Sequence, residues 1–244
     1  MNKNYRTIFY KNYFSEKSNK GSVNLNERNL SSWRYATFSR IKDWLPDDKN
    51  AKILVIGCGF GNLLKAFNQA GYKNLTGIDI SEEQIVKAKE LNSDISFFCT
   101  DLITYLKNEI KKFDLITAFD VIEHLDKEEA ITTLRLINDT LNENGQLIIQ
   151  TPNAESPWFG AVGYGDFTHE WFYTASSLED VLLKSGFRNI EFKPSEPLFI
   201  SFKSSIRRIV WKSINLFLKI WNLAETGSTG SKIYTRVFLA RAVK

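Results

Sequence analysis

The chain has 244 residues, 43% hydrophobic and 25% charged, which are ordinary globular values and exclude wholesale disorder. Two cysteines, Cys58 and Cys99, exclude a disulfide scaffold and leave a structural zinc site without ligands. The net charge of +4 is uneven: residues 195–244 hold nine basic and two acidic residues, so residues 1–194 carry −3, a pattern that speaks for a local anionic contact and against a nucleic-acid face.

The opening run MNKNYRTIFYKNYF lacks the apolar stretch of a signal peptide, and no window has the ~18 apolar residues of a membrane span. The expectation is a reduced, cytoplasmic protein. Residues 1–50 read as an N-terminal helical cap: Leu30, Trp33, Phe38, Ile41 and Leu45 recur at helical intervals until Pro46. From residue 51 to 244 the rhythm is that of a sheet domain. Lys52–Gly57 is a wholly apolar strand of the kind buried on both faces. A helix over Asn62–Ala70 ends at Gly71, and a second strand covers Asn74–Ile80. Ser81 then caps a helix with Glu82 and Glu83 in its first turn. Further strands are expected at Ile95–Cys99, Phe113–Phe119 and Gln146–Thr151, with helices at Leu102–Ile110 and Lys127–Leu141 between them. A helix at Ser177–Ser185, a strand at Arg188–Lys193 and a last strand at Lys232–Ala240 complete the domain, interrupted by insertions at 153–175 and 195–231. Repeated strand–helix alternation predicts right-handed crossovers in a doubly wound, Rossmann-like α/β sheet.

Gly57-Cys58-Gly59-Phe60-Gly61 follows the first strand and precedes a helix, where glycine permits a sharp turn and close approach to a ligand. Asp79 ends the second strand, placed to accept two ribose hydroxyls, and Asp101 follows the third strand at the adenine edge. A dinucleotide fingerprint would need its third glycine at position 62, which is Asn62, so a pyrophosphate cofactor is disfavoured. ILVIGCGFGNLLKAF, GIDISEEQIVKAKE, FFCTDL, FDLITAFDVIEHL and LNENGQLIIQTPN, in that order, resemble the motifs of class I S-adenosylmethionine-dependent methyltransferases over residues 50–194 and the final strand. The resemblance implies a seven-stranded sheet, mostly parallel with its last strand antiparallel, and S-adenosyl-L-methionine as cofactor. It further implies that Gly57, Cys58 and Gly59 contact the methionine part, Asp79 the ribose with Ile80 beside the adenine, Asp101 the adenine amine with Leu102 adjacent, and that Phe119 and Asp120 line the methionine side.

The loop at 153–175 leaves the carboxyl edge of the sheet, where acceptors bind in open α/β folds. Its stretch DFTHEWFYTASSLEDVLLKSGF is similar to methyltransferases encoded with bacterial surface-polysaccharide genes, which implies a glycan hydroxyl as acceptor. A weakly acidic hydroxyl profits from a general base, for which His169 is the candidate, with Asp166, Glu170, Tyr164, Trp158 and His124 on the acceptor side. Asp166, His169 and Glu170 match no metal-ligand spacing, so no metal is expected. Residues 206–221 form an amphipathic helix whose charges are all positive, which leaves membrane surface, own core and a homodimer open. Quinone or other small-metabolite O- or N-methylation, and a non-catalytic cofactor-binding partner of a glycan-assembly complex, remain alternatives.

Overall fold

The computed structural model describes residues 4–10, 26–198 and 202–244. Its strands are Lys52–Ile56 (β1), Asn74–Asp79 (β2), Ser96–Cys99 (β3), Phe113–Phe119 (β4), Leu141–Pro152 (β5), Arg188–Pro194 (β6) and Val237–Val243 (β7). They form one sheet in the order β3-β2-β1-β4-β5-β7-β6. Strands β1 to β5 are parallel, and β7 runs antiparallel between β5 and β6. The order reverses at β1, which opens a crevice at the carboxyl ends of β1, β2 and β4.

The helices are Asn4–Tyr10 (α1), Glu27–Ile41 (α2), Asn62–Gln69 (α3), Glu82–Leu91 (α4), Leu102–Asn108 (α5), Lys127–Thr140 (α6), Phe159–Gly163 (α7), Ala175–Lys184 (α8) and Phe202–Thr226 (α9). Successive residues of a strand face opposite sides, so the apolar run of β1 serves two cores. Leu54 and Ile56 pack with Leu106 of α5, Leu134 and Ile137 of α6, and Leu178 and Leu182 of α8. Ile53 and Val55 pack with Ile41 of α2, Leu64 and Phe67 of α3, and Ile85 of α4. This is why β1 carries no polar alternation.

Several boundaries differ from expectation, each for a local reason. The N-terminal helix starts at Glu27, capped by Asn26, and passes into a 3-10 turn at Lys42–Trp44, about one turn short of a single helix through Leu45. Just before the long helix His124 closes a 3-10 turn at Ile122–His124, and α6 begins at Lys127, the expected position, behind a capping box of Asp126 and Glu129. Strand β5 begins at Leu141, five residues early, because a register shift against β4 absorbs Asn142–Gly145, with Asn144 at φ 62°. The final strand begins at Val237 instead of Lys232. Lys232 sits at φ 63°, and Asn153 Nδ2 donates to the carbonyls of Ile233 (2.7 Å) and Thr235 (2.9 Å), tying that segment to the end of β5.

Candidate active site

A cleft of about 330 Å³ opens where the sheet order reverses, lined from the first turn, the ends of β2 and β4, and helix α1. Gly57 (φ 64°) and Gly59 (φ 54°) hold the first turn in left-handed backbone. A Cβ on Gly57 would stand 2.5 Å from Val121 Cγ2, so the turn also depends on close packing. Asp79 locks this turn to the next: its carboxylate accepts from Gly59 N (2.9 Å) and from Ser81 N (2.8 Å). Burial pushes its pKa up, opposed by those backbone N–H groups. Each carboxylate oxygen keeps a second acceptor direction, as a vicinal diol requires. Ile80 and Leu102 line the same cleft, and Ile80 is half exposed. Asp101 lines it too, while its side chain caps α5 by accepting from Thr104 N (2.9 Å). One carboxylate thus caps α5 and also borders the cleft.

Two expected residues contribute otherwise. The side chain of Cys58 is buried in the core over α3, where a Cβ on Gly77 would meet its Sγ at 2.9 Å; only its backbone belongs to the turn. Phe119 packs against that same core and is not among the cleft-lining residues. The reason is strand parity: Asp120, the next residue, turns into the cleft instead. Asp120 has φ 54° and is held by Gln150, whose Nε2 donates to both carboxylate oxygens at 3.1 and 3.2 Å.

Beside Asp120 the two histidines of the chain meet, with ring centroids 4.7 Å apart. His124 Nδ1 lies 3.2 Å from Thr168 O and 2.9 Å from Thr168 Oγ1, and that hydroxyl donates to Asp166 (2.7 Å). His169 Nδ1 lies 2.6 Å from Gly163 O. These carbonyl partners assign the proton to Nδ1 on both rings and leave both Nε2 atoms as acceptors. Burial, then the neighbouring His169, lowers the pKa of His124 to about 4, so its ring is neutral. Glu123 is 1% exposed, accepts from Thr151 Oγ1 (3.1 Å), and has its pKa pushed well above the ordinary value by burial and then by Asp120. One ligand atom from each of Glu123, His124 and His169 lies within 4.8 Å of the others. Two imidazoles and a carboxylate are a donor set that divalent transition metals accept.

The remaining acceptor-side residues divide. Tyr164 stands in an aromatic cluster with Phe159 and Phe172, and Phe172 lies 5.8 Å from the His169 ring. Asp166 positions Thr168 and through it His124. Glu170 binds the Tyr5 hydroxyl and pairs with Arg6, while its own N–H donates to Glu123 O (2.7 Å). Trp158 turns away into a separate groove against Trp211 of α9, ring centroids 6.4 Å apart. Sequence reasoning missed Arg6, which lines the cleft and donates to Glu129 and to His124 O (2.6 Å). It also missed Glu123 and Thr168. An acid directly beside a histidine after β4 was a visible signal; apart from neighbouring Tyr5, the partners of Arg6 lie at least 118 positions away and left none.

Known proteins supply an independent comparison. A family model described as a methyltransferase domain matches residues 30–191. A mitochondrial ubiquinone biosynthesis O-methyltransferase of Candida albicans is 25% identical over 173 residues, which cover 64% of this chain and 52% of that protein. A small RNA 2'-O-methyltransferase of Rattus norvegicus is 28% identical over 149 residues, covering 54% of this chain and 37% of that one. The chain thus spans about half or less of the length of these relatives. Among solved structures, a SAM dependent methyltransferase from Archaeoglobus fulgidus has a TM-score of 0.64 at 23% identity, covering 86% of this chain and 94% of that one. The magnesium protoporphyrin IX methyltransferase of Synechocystis with bound SAM has a TM-score of 0.60 at 18% identity, covering 98% and 94%. With a glycine turn, a strand-end carboxylate and no phosphate-type third glycine, the cleft fits S-adenosyl-L-methionine, and the chain belongs to the methyltransferase-domain family that uses this cofactor.

Proposed function

We propose that the protein methylates a hydroxyl of a sugar in a bacterial glycan, polysaccharide or glycolipid precursor. The observation that carries the O-methylation is the pair of Nε2 acceptors beside buried Glu123, of which His124 itself lines the cleft while His169 packs against its ring. S-adenosylmethionine supplies an activated methyl group on its sulfonium. What the chain must add is alignment, exclusion of water and a place for the hydroxyl proton. His169 Nε2 takes that proton, and its Nδ1–H, held by Gly163 O, fixes the ring for the task. The Asp120 carboxylate, which interacts with the His169 ring charge, favours the imidazolium that results. Tyr164 is 76% exposed beside Phe172, a free aromatic face of the kind that stacks on a pyranose.

A phenolic hydroxyl, as in a quinone precursor, is the second reading. It is favoured by the ubiquinone O-methyltransferases among the relatives. Cation assistance is compatible with either. Glu123, His124 and His169 are the residues that would hold a cation, which would supply Lewis-acid activation of the acceptor hydroxyl.

The test is transfer of labelled methyl to a panel of nucleotide-linked sugars, lipid-linked sugars and catechols, with wild type and His169→Ala. The expected outcome is sugar turnover that falls at least about 100-fold in the variant with cofactor affinity within about threefold. Turnover on catechols alone selects the second reading. Cofactor binding without turnover on any acceptor refutes both and leaves a non-catalytic binding partner. Loss of turnover in a chelator, restored by manganese or zinc, makes His169 a metal ligand and not the base.

A further inference from the structure

Helix α9 is the anomaly of the fold. It runs 25 residues, yet Ile209, Val210, Leu216, Phe217, Ile220 and Trp221 are each more than half exposed. At 100° per residue these six fall within an arc of about 140°. The opposite side, with Trp211, Ile214, Asn215 and Leu218, is half-buried and lies toward the domain. Trp211 and Ile214 line the groove that Trp158 shares, and Asn215 Nδ2 donates to Glu196. The apolar arc therefore faces outward by construction, not through fraying or missing contacts on its inner side.

Charge decides what covers it. On the same projection Arg207 borders one edge of the arc, and Lys212 and Lys219 border the other. No acidic residue occurs from Phe202 to Ala224, and Glu225, at the end, accepts from Trp221 Nε1 (3.2 Å). We propose that this outward face of α9 docks on an anionic phospholipid surface. The apolar arc would enter the headgroup boundary, and the flanking cations would meet lipid phosphates. A second copy is the poorer occupant: a two-fold pairing of α9 on itself sets rows of cations with no acidic partner against each other. Insertion across the bilayer is not the geometry either, since no helix among the described residues is long and apolar enough to cross a membrane. Through the Trp211–Trp158 contact, α9 abuts the loop that carries Tyr164 and His169. Docking would therefore hold that loop close to the lipid surface, whichever hydroxyl the enzyme methylates.

Vesicle flotation tests this without any acceptor. The 244-residue chain is mixed with vesicles of phosphatidylcholine alone, or of phosphatidylcholine with one third phosphatidylglycerol. The expected result is at least about tenfold greater partitioning to the anionic vesicles, lost at high salt. Arg207→Glu/Lys212→Glu should remove the anionic preference, and Phe217→Asp/Trp221→Asp should abolish binding to both. All altered positions are exposed, and titration of S-adenosylmethionine verifies that each variant is folded; Ile220→Glu replaces any that is not. Equal partitioning of wild type to both vesicles, or to neither, overturns the proposal. So does a lipid-free dimer in sedimentation velocity that Phe217→Asp/Trp221→Asp dissociates, because that result assigns the face to a second copy.

Discussion

Replacing Asp79 by alanine should weaken S-adenosylmethionine about 100-fold. The carboxylate spends one acceptor direction of each oxygen on the protein: Oδ2 on Gly59 N at 2.9 Å and Oδ1 on Ser81 N at 2.8 Å. Asp79 lines the cleft, so its remaining acceptor capacity is open to a diol there. Hydrogen bonds to a charged acceptor contribute about 1.5–3 kcal/mol each, and water reclaims part of this in the empty site. A combined loss of about 3 kcal/mol corresponds to roughly 150-fold in Kd. The substitution also frees the backbone N–H of Gly59, so the turn that faces the methionine part loosens as well. Asp79→Asn separates the effects. It keeps one carbonyl oxygen for a backbone N–H but loses charge and one acceptor, and should fall about tenfold. Calorimetric titration of S-adenosylmethionine and S-adenosylhomocysteine, with NADH as control, reads all three proteins. An Asp79→Ala affinity within threefold of wild type in a folded protein would refute the ribose assignment.

Gly57→Ala places a Cβ 2.5 Å from Val121 Cγ2 on backbone at φ 64°; it should cost about 2 kcal/mol or more, visible as a lower Tm, and Val121→Ala should restore only the steric part. His124 has an ordinary pKa of 6.5 and about 4 in the fold, so as pH falls the unfolded chain takes up its proton first. The associated stability is present above pH 6.5 and lost as pH falls through 4, by up to about 3 kcal/mol. Glu123, raised by burial, works in the opposite sense, so denaturant midpoints should be compared with those of His124→Gln, whose acid-side decline should be shallower. Arg6→Ala removes the donors to Glu129 and His124 O that hold α1 over the cleft. Limited proteolysis should then cut the N-terminal segment faster, and the acceptor KM should rise; unchanged proteolysis would show that α1 is held by other contacts.

The alternation of apolar strands with helices was legible because a strand covered on both faces needs no polar positions. Lys52–Ile56 and Phe113–Phe119 were accordingly found where the pattern put them. Boundaries failed where a side chain from elsewhere overrode local preference. Lys232–Thr235 has strand-like composition, yet Asn153 holds it as a loop. In the site, Asp79, Asp101 and the glycine turn could be read in sequence because each is placed by its own strand end. Phe119 was expected beside Asp120; neighbouring residues at a strand end face opposite sides, and the structure packs Phe119 on the core with Asp120 lining the cleft.

Periodicity along the chain thus determined the sheet class, motif resemblance pointed to the family, and strand ends placed the glycine turn, Asp79 and Asp101 in one cleft, since all of these depend on contacts within a strand–turn–helix unit. Tertiary structure alone decided the other end. Glu123 and His124 meet His169 across 45 or more residues of chain, Arg6 arrives from the N-terminus, and the apolar side of α9 proves to face outward. Such juxtapositions come from packing the sheet's loops against one another. No local pattern records them, because each residue's own neighbours in sequence are compatible with several partners in space.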